Sequence, residues 1–237
     1  MGRVTVVGGK VGMEAPSLYK PVFADNTWEQ IIEACQTNNV PDTWEVGDQK
    51  AMTINGTDYL IDIIGKNHDD YADGSGKAPL TFQMHDCYAT QYAINANSSD
   101  TNSGGWESCE MRNTTLPKVL KLMPNTVQTS IRTVTKKASA GDTSSSIKTS
   151  HDKLFLLSEI EVFGTLSLSF SGEGTQYAYY AAGNSKIKTI NGSAVSWWER
   201  SPSKNNSEYW CRVYAYDSMA SHETVYSDQG LSFAFCF

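Results

Sequence analysis

The sequence has little charge and no long apolar run. Charged residues make up 19% of the 237 residues, against about a quarter in an average domain, and serine, threonine and asparagine take their place. No apolar stretch approaches the roughly 18 residues that a membrane-spanning helix needs. The N-terminus also lacks the charged and then apolar layout of a secretory signal peptide. These absences predict a soluble chain that neither inserts into a membrane nor uses the general secretory route.

Positive charge is scarcer still, because 26 Asp and Glu residues outnumber 19 Lys and Arg residues. The net charge of −7 disfavours non-specific binding to nucleic acid or to anionic membranes. Five cysteines are scattered without any CxxC motif, and the four histidines show no HxH or HExxH spacing. This pattern excludes a disulfide framework and a cysteine-rich zinc site, and it predicts small buried cysteines. We therefore expect no cofactor and no metal ion.

Two local clusters nevertheless contain residue types that occur in metal-binding or catalytic sites. In the polar loop 65–78, His68-Asp69-Asp70 and Asp73 carry carboxylates of the kind that bind calcium, and a solvated acidic loop is the alternative. His85-Asp86-Cys87 contains residue types found in nucleophilic triads. Adjacent residues of a strand point to opposite faces, so this cluster predicts no catalytic pair.

Hydrophobic periodicity indicates an α+β fold with two helices and many short strands. We expect Asp25 to cap a helix over 27–36, and a hairpin to turn at Asn55-Gly56. A second helix should run over 116–131 with a break at Pro124. The other expected elements are a strand at 80–84, a mobile loop at 138–150, a buried strand or helical turn at 153–163 and a core strand at 231–237.

The first 24 residues differ in character from the rest. Val4 to Val7 reads as a short strand followed by glycines and prolines, which suggests a tether or oligomerisation arm. Residues 25–237 should form one folded domain.

The segment 203–228 has the composition of an antigen-binding surface. It is rich in tyrosine, serine and asparagine and includes Arg212 and His222. Rigid amphipathic rings supply contact area there, and small polar residues supply adaptable hydrogen bonds. The alternative is that these tyrosines pack on a sheet with their hydroxyls in water, and composition alone does not separate the two interpretations.

Several blocks of the chain resemble a family of bacterial and phage domains with a Trp-Trp-x-Arg-Ser-Pro signature near the C-terminus. The resemblance extends over roughly residues 25–237, through six matching blocks: WEQIIEAC (28–35), WEVGDQKAMTINGTDYLIDIIGKNHDD (44–70), GGWESCEMRNTTLPKVL (104–120), DKLFLLSEIEVFG (152–164), WWERSP (197–202) and GLSFAFCF (230–237).

The resemblance implies a C-type-lectin-like fold of the formylglycine-generating-enzyme type, with two helices, short antiparallel strands and long ordered loops. It also implies similarity to variable proteins of diversity-generating retroelements, in which mutagenic reverse transcription rewrites a segment equivalent to 203–228. Residues of that segment should lie on one exposed face above Val213 and Ala215. The implied ligand-binding residues are Tyr209, Arg212, Tyr214, Tyr216, Ser218, Ser221, His222, Thr224 and Tyr226.

The function implied is that of a phage or prophage tail-tip adhesin that binds a host-cell receptor, either protein or glycan. Such a protein would reside in the virion, or in the cytoplasm of the producing bacterium before assembly. It would be a homo-oligomer, for example a trimer, or attach to a tail fibre through the N-terminal arm.

Two other functions stay open. One is a bacterial surface module that binds a fixed glycan. The other is a formylglycine-generating type of enzyme, whose relatives use a closely spaced C-terminal cysteine pair. Cys211 and Cys236 are far apart in this sequence, so we expect no enzyme and no catalytic residue.

The signature itself is expected to belong to the scaffold. Consecutive tryptophans cannot share one strand face, so one of Trp197 and Trp198 should enter the core while the other packs beneath a loop. Arg200 should bond loop carbonyls or a carboxylate.

Overall fold

Antiparallel pairing of short strands dominates the fold. The computed structural model of the protein describes residues 4–7, 10–13, 18–96 and 101–237, with side chains within 18–96 and 101–237. The strands are β1 (Val4–Val7), β2 (Lys10–Met13), β3 (Gln49–Ile54), β4 (Thr57–Lys66), β5 (Leu80–Met84), β6 (Val134–Ser139), β7 (Ile147–Asp152), β8 (Lys188–Ile190), β9 (Ser193–Val195), β10 (Trp197–Pro202), β11 (Tyr209–Val213), β12 (Ala220–Thr224) and β13 (Ala234–Cys236).

Helices are few and short, and they occupy the connections between strands. They are α1 (Trp28–Gln36), α2 (Gly105–Ser108), α3 (Leu116–Leu120), α4 (Asn125–Ser130), α5 (Glu159–Phe163) and α6 (Ala178–Ala181). The described residues thus confirm an α+β chain with several small antiparallel sheets. They contain six short α-helices, a 3-10 turn at Phe23–Asp25 and a π-helical turn at Met111–Thr115, where the sequence predicted two helices.

Two sheets organise the domain. One has four strands in the order β13-β5-β4-β3, and the other has three in the order β10-β11-β12. The strand pairs β1-β2, β6-β7 and β8-β9 form separate hairpins. Because the C-terminal strand β13 pairs with β5 of the four-stranded sheet, the end of the chain lies in the core.

The hairpin between β3 and β4 turns at Asn55-Gly56, as predicted. Both residues have positive φ, 50° and 78°, which is the requirement of the tight turn that joins two twisted strands.

Helix α1 is capped by Thr27 rather than by Asp25. The Thr27 side chain accepts from the backbone N–H of Gln30, whose side chain accepts in turn from the N–H of Thr27. Asp25 lies in a preceding 3-10 turn, Phe23–Asp25, so the predicted cap was wrong by two residues. The predicted break at Pro124 is confirmed, since α3 ends before it and α4 begins after it.

The segment 138–150 is not a loop throughout. Strands β6 and β7 pair across it from Val134 opposite Asp152 to Ser139 opposite Ile147, which leaves only 140–146 as the connection. Inside β6 the inward-facing position 136 is a lysine, which interrupts the apolar alternation expected of a strand.

The packed core extends beyond the predicted domain start at residue 25, because Tyr19 and Phe23 are buried in it. In the predicted arm 1–24, β1 pairs antiparallel with β2, while residues 1–3, 8–9 and 14–17 lie outside the described residues. Within the described part of the chain, no helix combines the length and apolarity needed to cross a membrane.

Candidate ligand-binding surface

The nine residues implied as ligand-binding lie on or near a two-stranded ribbon formed by β11 and β12. The ribbon pairs Tyr209 with Thr224 at one end and Val213 with Ala220 at the other. We call this ribbon, together with the loops 214–219 and 225–229, the display surface.

Five of the nine residues lie in the two strands, and the register divides these five between the two faces of the ribbon. Paired residues share a face and successive residues alternate. Tyr209, His222 and Thr224 therefore lie on the face of the buried Cys211, and the rings of Tyr209 and His222 are 4.7 Å apart. The prediction of a single exposed face was wrong, because Tyr209 and Arg212 are three positions apart and alternation along β11 places them on opposite faces.

Arg212 and Ser221 lie on the opposite face, where Arg212 joins the ribbon to the following loop. Its Nη1 donates to Oε1 of Gln229 over 2.9 Å and lies 3.0 Å from Oε2 of Glu223. The Arg212 guanidinium also sits 5.2 Å from the ring centroid of Tyr214. These contacts fix the relative position of β11, β12 and the loop 225–229.

The loops at the ends of the ribbon carry the most exposed aromatic side chains. Tyr216 is 89% exposed, Tyr226 53% and Tyr214 41%, and Met219 beside them is 62% exposed. Ser218 lies in the same loop with φ of 55°. The expected scaffold position Val213 is buried, but Ala215 is only half-buried.

A buried asparagine, Asn102, holds the chain where it enters the ribbon. Its side-chain amide donates to the carbonyls of Tyr209 over 2.8 Å, Asn206 over 3.2 Å and Ser203 over 3.3 Å. At Gly141 a Cβ atom would lie 1.8 Å from the Asn102 carbonyl oxygen, so only glycine permits this close approach. Nothing in the sequence pattern singled out Asn102, because its partners are distant in the chain.

Three buried tryptophans belong to the three-stranded sheet, and each indole N–H donates to a backbone carbonyl. Trp197 donates to Lys186, Trp198 to Tyr92 and Trp210 to Glu199, over 2.7–2.8 Å. Both signature tryptophans are fully buried in the core, on opposite faces of β10, as a scaffold role requires. The prediction that only one of them enters the core was wrong.

Arg200 of the signature is the centre of a buried ionic network. Its two terminal nitrogens bond the two carboxylate oxygens of Glu161 at 3.0 Å each, and the guanidinium also donates to carbonyls of Lys137, Leu156 and Glu173. The prediction that Arg200 bonds loop carbonyls or a carboxylate is confirmed.

Lys136 extends the same network to the other side of Glu161. Its Nζ lies 2.8 Å from Glu161 and 2.7 Å from Asp69. Burial alone would raise the pKa of Glu161, but Arg200 and Lys136 more than offset burial and hold it below its ordinary value. Lys136 likewise offsets burial at Asp69 and lowers its pKa to about 2. Both carboxylates are therefore ionised at neutral pH.

In two other buried carboxyl groups the pKa is raised rather than lowered. Burial raises the pKa of Glu173 to about 7, although Ser201 and the N–H of Ser139 donate to it. Glu199 is fully buried, and neither of its carboxyl oxygens has a hydrogen-bond partner among the described residues. Burial, with the neighbouring Glu159 and Glu173, raises its pKa well above the usual value, which favours the protonated acid.

The acidic loop 65–78 does not gather its carboxylates around one point. Asp70 pairs with Lys77 at 2.9 Å and Asp73 pairs with Arg132, while Asp69 belongs to the buried network. Across residues 18–96 and 101–237, no group of three or more His, Cys, Asp or Glu side chains has metal-binding geometry.

The cluster at 85–87 has no nucleophile at neutral pH. His85 pairs with Asp62 at 2.9 Å, and burial raises the pKa of the Cys87 thiol to about 12. The thiol is therefore protonated and buried.

Comparison with known families gives one match. The model of a family described as a domain of unknown function, DUF6273, matches residues 80–237, which run from β5 to the C-terminus and include the whole display surface. No curated protein and no solved structure matches the chain.

Proposed function

The chain belongs to the DUF6273 family, and we propose that it is a ligand-binding domain that recognises a macromolecular partner through the display surface. The proposal includes no covalent chemistry.

The observation that carries the proposal is the concentration of exposed apolar side chains in one short segment. Nine large apolar side chains are exposed within residues 18–96 and 101–237, and four of them fall in 214–226. Exposed apolar side chains gathered in one segment of a folded chain favour an interaction site, and tyrosine is enriched among the residues that dominate binding energy.

The support beneath the segment favours binding as well. Asn102 holds the entry to the ribbon, and Arg212 ties it to Gln229. Trp210, buried within β11, donates to the carbonyl of Glu199 in the neighbouring strand β10. A surface that is already ordered loses little conformational entropy when it binds, so more of the contact energy appears as affinity. Tyrosine also loses little conformational entropy on binding, because its side chain has only two rotatable bonds.

Cysteine chemistry supports the absence of catalysis. Cys211 lies in β11 and Cys236 in β13, and both are fully buried. Burial raises the pKa of both thiols well above the usual value. An enzyme of the formylglycine-generating type needs accessible, reactive thiols, and these two are neither.

The finer part of the proposal is a C-type-lectin-like phage or prophage tail-tip protein with a diversified segment 203–228. Its support is the WWERSP signature, the accompanying sequence blocks and the composition of that segment. The partner would be a receptor on the host cell, and several copies assembled through the N-terminal arm would raise a weak single-site affinity by multivalency.

A cell-binding assay tests the proposal. The full chain, labelled with a fluorophore, is added to a panel of intact bacteria, and the variant Tyr214→Ser/Tyr216→Ser/Tyr226→Ser is compared with it. Since an aromatic hot-spot residue contributes about 2 kcal/mol or more, the triple change should lower the affinity for cells by more than about tenfold.

The matched control replaces three exposed apolar residues elsewhere: Leu60→Ser/Leu122→Ser/Ile187→Ser. It should bind like the unmodified chain. Equal losses in the two variants, or unchanged binding of the tyrosine variant, would contradict the proposal. Diversification has its own test: a reverse transcriptase gene beside a near-copy of the codons for 197–237.

A further inference from the structure

The exposed tyrosines of the display surface are accompanied by carboxylates rather than by cations. Asp217 and Asp228 are exposed within it, Glu223 is partly exposed, and Glu208 is exposed directly before β11. Glu208 is held beside the loop 225–229, because its carbonyl accepts from the N–H of Val225 over 3.0 Å. Asp217 directly follows Tyr216, the most exposed ring.

The one arginine of the ribbon is not available to an anionic partner. The Arg212 side chain is only 12% exposed, and its Nη1 lies against Glu223 and Gln229. Its guanidinium also lies near the Tyr214 ring, and its Nε is buried without a hydrogen-bond partner among the described residues. Lys204 is half-buried at the start of the segment. The accessible charge of the display surface is therefore negative, as is that of the whole chain, with a net charge of −7.

Rings and carboxylates together suit one class of ligand group. The face of a tyrosine ring attracts ammonium and guanidinium groups, and carboxylates form charge-assisted hydrogen bonds with both. A phosphate-rich or sulfated partner would be repelled by these carboxylates, and the display surface itself offers no accessible lysine or arginine to bind it.

The degree of exposure favours an extended partner over a small one. Tyr216, Met219 and Tyr226 are more than half exposed, whereas residues that line a concave small-molecule site are largely buried by its walls. Resting on the proposed function, we propose that the partner is a polypeptide surface presenting lysine and arginine side chains to the rings and carboxylates of the display surface.

Fluorescence anisotropy on the full chain tests this assignment with defined probes. A labelled Gly-Ser peptide with evenly spaced Arg and Lys is compared with its Ser-substituted neutral form, its Glu-substituted form, neutral dextran and dextran sulfate. The basic peptide should bind most tightly, and its dissociation constant should rise steeply between about 50 and 200 mM salt because the contacts are ionic.

Two charge-matched variants separate local from overall charge. Glu208→Gln/Asp217→Asn/Asp228→Asn should weaken binding of the basic peptide about tenfold or more, as the loss of several close charge contacts predicts. Glu33→Gln/Asp42→Asn/Glu45→Gln removes the same charge from exposed positions in the N-terminal part of the chain and should change binding less than about twofold. Thermal melting confirms that both variants fold.

The outcomes distinguish this inference from the proposed function. Equal weakening in the two charge variants, or tighter binding of dextran, dextran sulfate or the acidic peptide, would overturn the basic partner. If such a probe also bound less well to Tyr214→Ser/Tyr216→Ser/Tyr226→Ser, the display surface would remain the binding site. If every probe bound equally well to the unmodified chain and to the tyrosine variant, and the variant also bound cells normally, the proposed function would fail as well.

Discussion

Arg200 and Glu161 form a fully buried ion pair with two parallel hydrogen bonds, each 3.0 Å long. The pair joins strand β10, which carries the WWERSP signature, to helix α5. It shows why an arginine is required there: only a guanidinium can meet both carboxylate oxygens and several loop carbonyls at once.

Removal of the arginine should therefore cost stability. Arg200→Ala leaves Glu161 with one cationic partner, Lys136, in the core, and breaking such a buried pair costs about 3–5 kcal/mol. Denaturant unfolding of the two proteins measures the difference. Lys148→Ala, which removes an exposed pair with Glu107, should change stability by less than about 1 kcal/mol. Similar stabilities for Arg200→Ala and the unmodified chain would contradict a structural role.

Asn102 should matter for both stability and binding. Asn102→Ala leaves the Ser203 carbonyl without its buried side-chain donor, and it removes one of two donors from the carbonyls of Asn206 and Tyr209. A buried group left unsatisfied costs about 1–3 kcal/mol unless water reaches it. We expect faster amide exchange over 203–213 and weaker cell binding. Asn184→Ala, which removes a single half-buried hydrogen bond to Tyr179, is the control. Unchanged exchange over 203–213 would show that Asn102 does not hold the ribbon.

The unpaired Glu199 predicts a pH-dependent stability. Burial keeps its proton bound in the folded state at pH values where the unfolded chain, with a pKa near 4.5, has released it. Its contribution is therefore complete below about pH 4.5 and falls as the pH rises, by at most about 1.4 kcal/mol per pH unit.

Glu199→Gln mimics the protonated acid and removes this loss. The variant should match the unmodified chain at about pH 4 and be more stable at about pH 8, as measured by denaturant unfolding. Glu208→Gln, at an exposed position, should show no such divergence. A Glu199→Gln variant that is less stable at the higher pH would mean that the carboxylate is ionised and paired.

The C-terminal strand should be indispensable for folding. Phe233, Phe235 and Phe237 are fully buried, and β13 pairs with β5 in the four-stranded sheet. Each buried phenylalanine contributes about 1.5–3 kcal/mol, against a total stability of about 5–15 kcal/mol. Truncation after Gln229 should abolish cooperative thermal unfolding. A soluble truncated protein with a sharp melting transition would contradict this.

Local signals predicted the parts of the fold that depend on neighbouring residues. The turn at Asn55-Gly56 and the break at Pro124 were correct because the backbone preferences of asparagine, glycine and proline act locally. Strand β6 was missed because Lys136 occupies an inward position. Its partners Asp69 and Glu161 are distant in sequence, so nothing nearby indicates that a charge can be buried there.

Some features of the candidate site were likewise predictable from the sequence, and others were not. The exposure of Tyr214, Tyr216 and Tyr226 was one of two interpretations that the composition of the segment left open. Alternation along β11 alone places Tyr209 and Arg212 on opposite faces, whereas their cross-strand partners depend on the pairing with β12, and Asn102 acts from far along the chain. Register and long-range hydrogen bonds depend on the whole fold, and a single sequence does not specify them in a readable form.

Site-specific photo-crosslinking tests the central claim most directly. A p-benzoylphenylalanine is placed at Tyr216, the most exposed ring of the display surface, or at Leu60, an exposed position outside it. After irradiation on cells that bind the unmodified chain, the protein labelled at Tyr216 should form a covalent adduct with a cell-surface component, and the protein labelled at Leu60 should not. An adduct at Leu60 alone, with cell binding intact in both proteins, would place the binding surface elsewhere on the molecule.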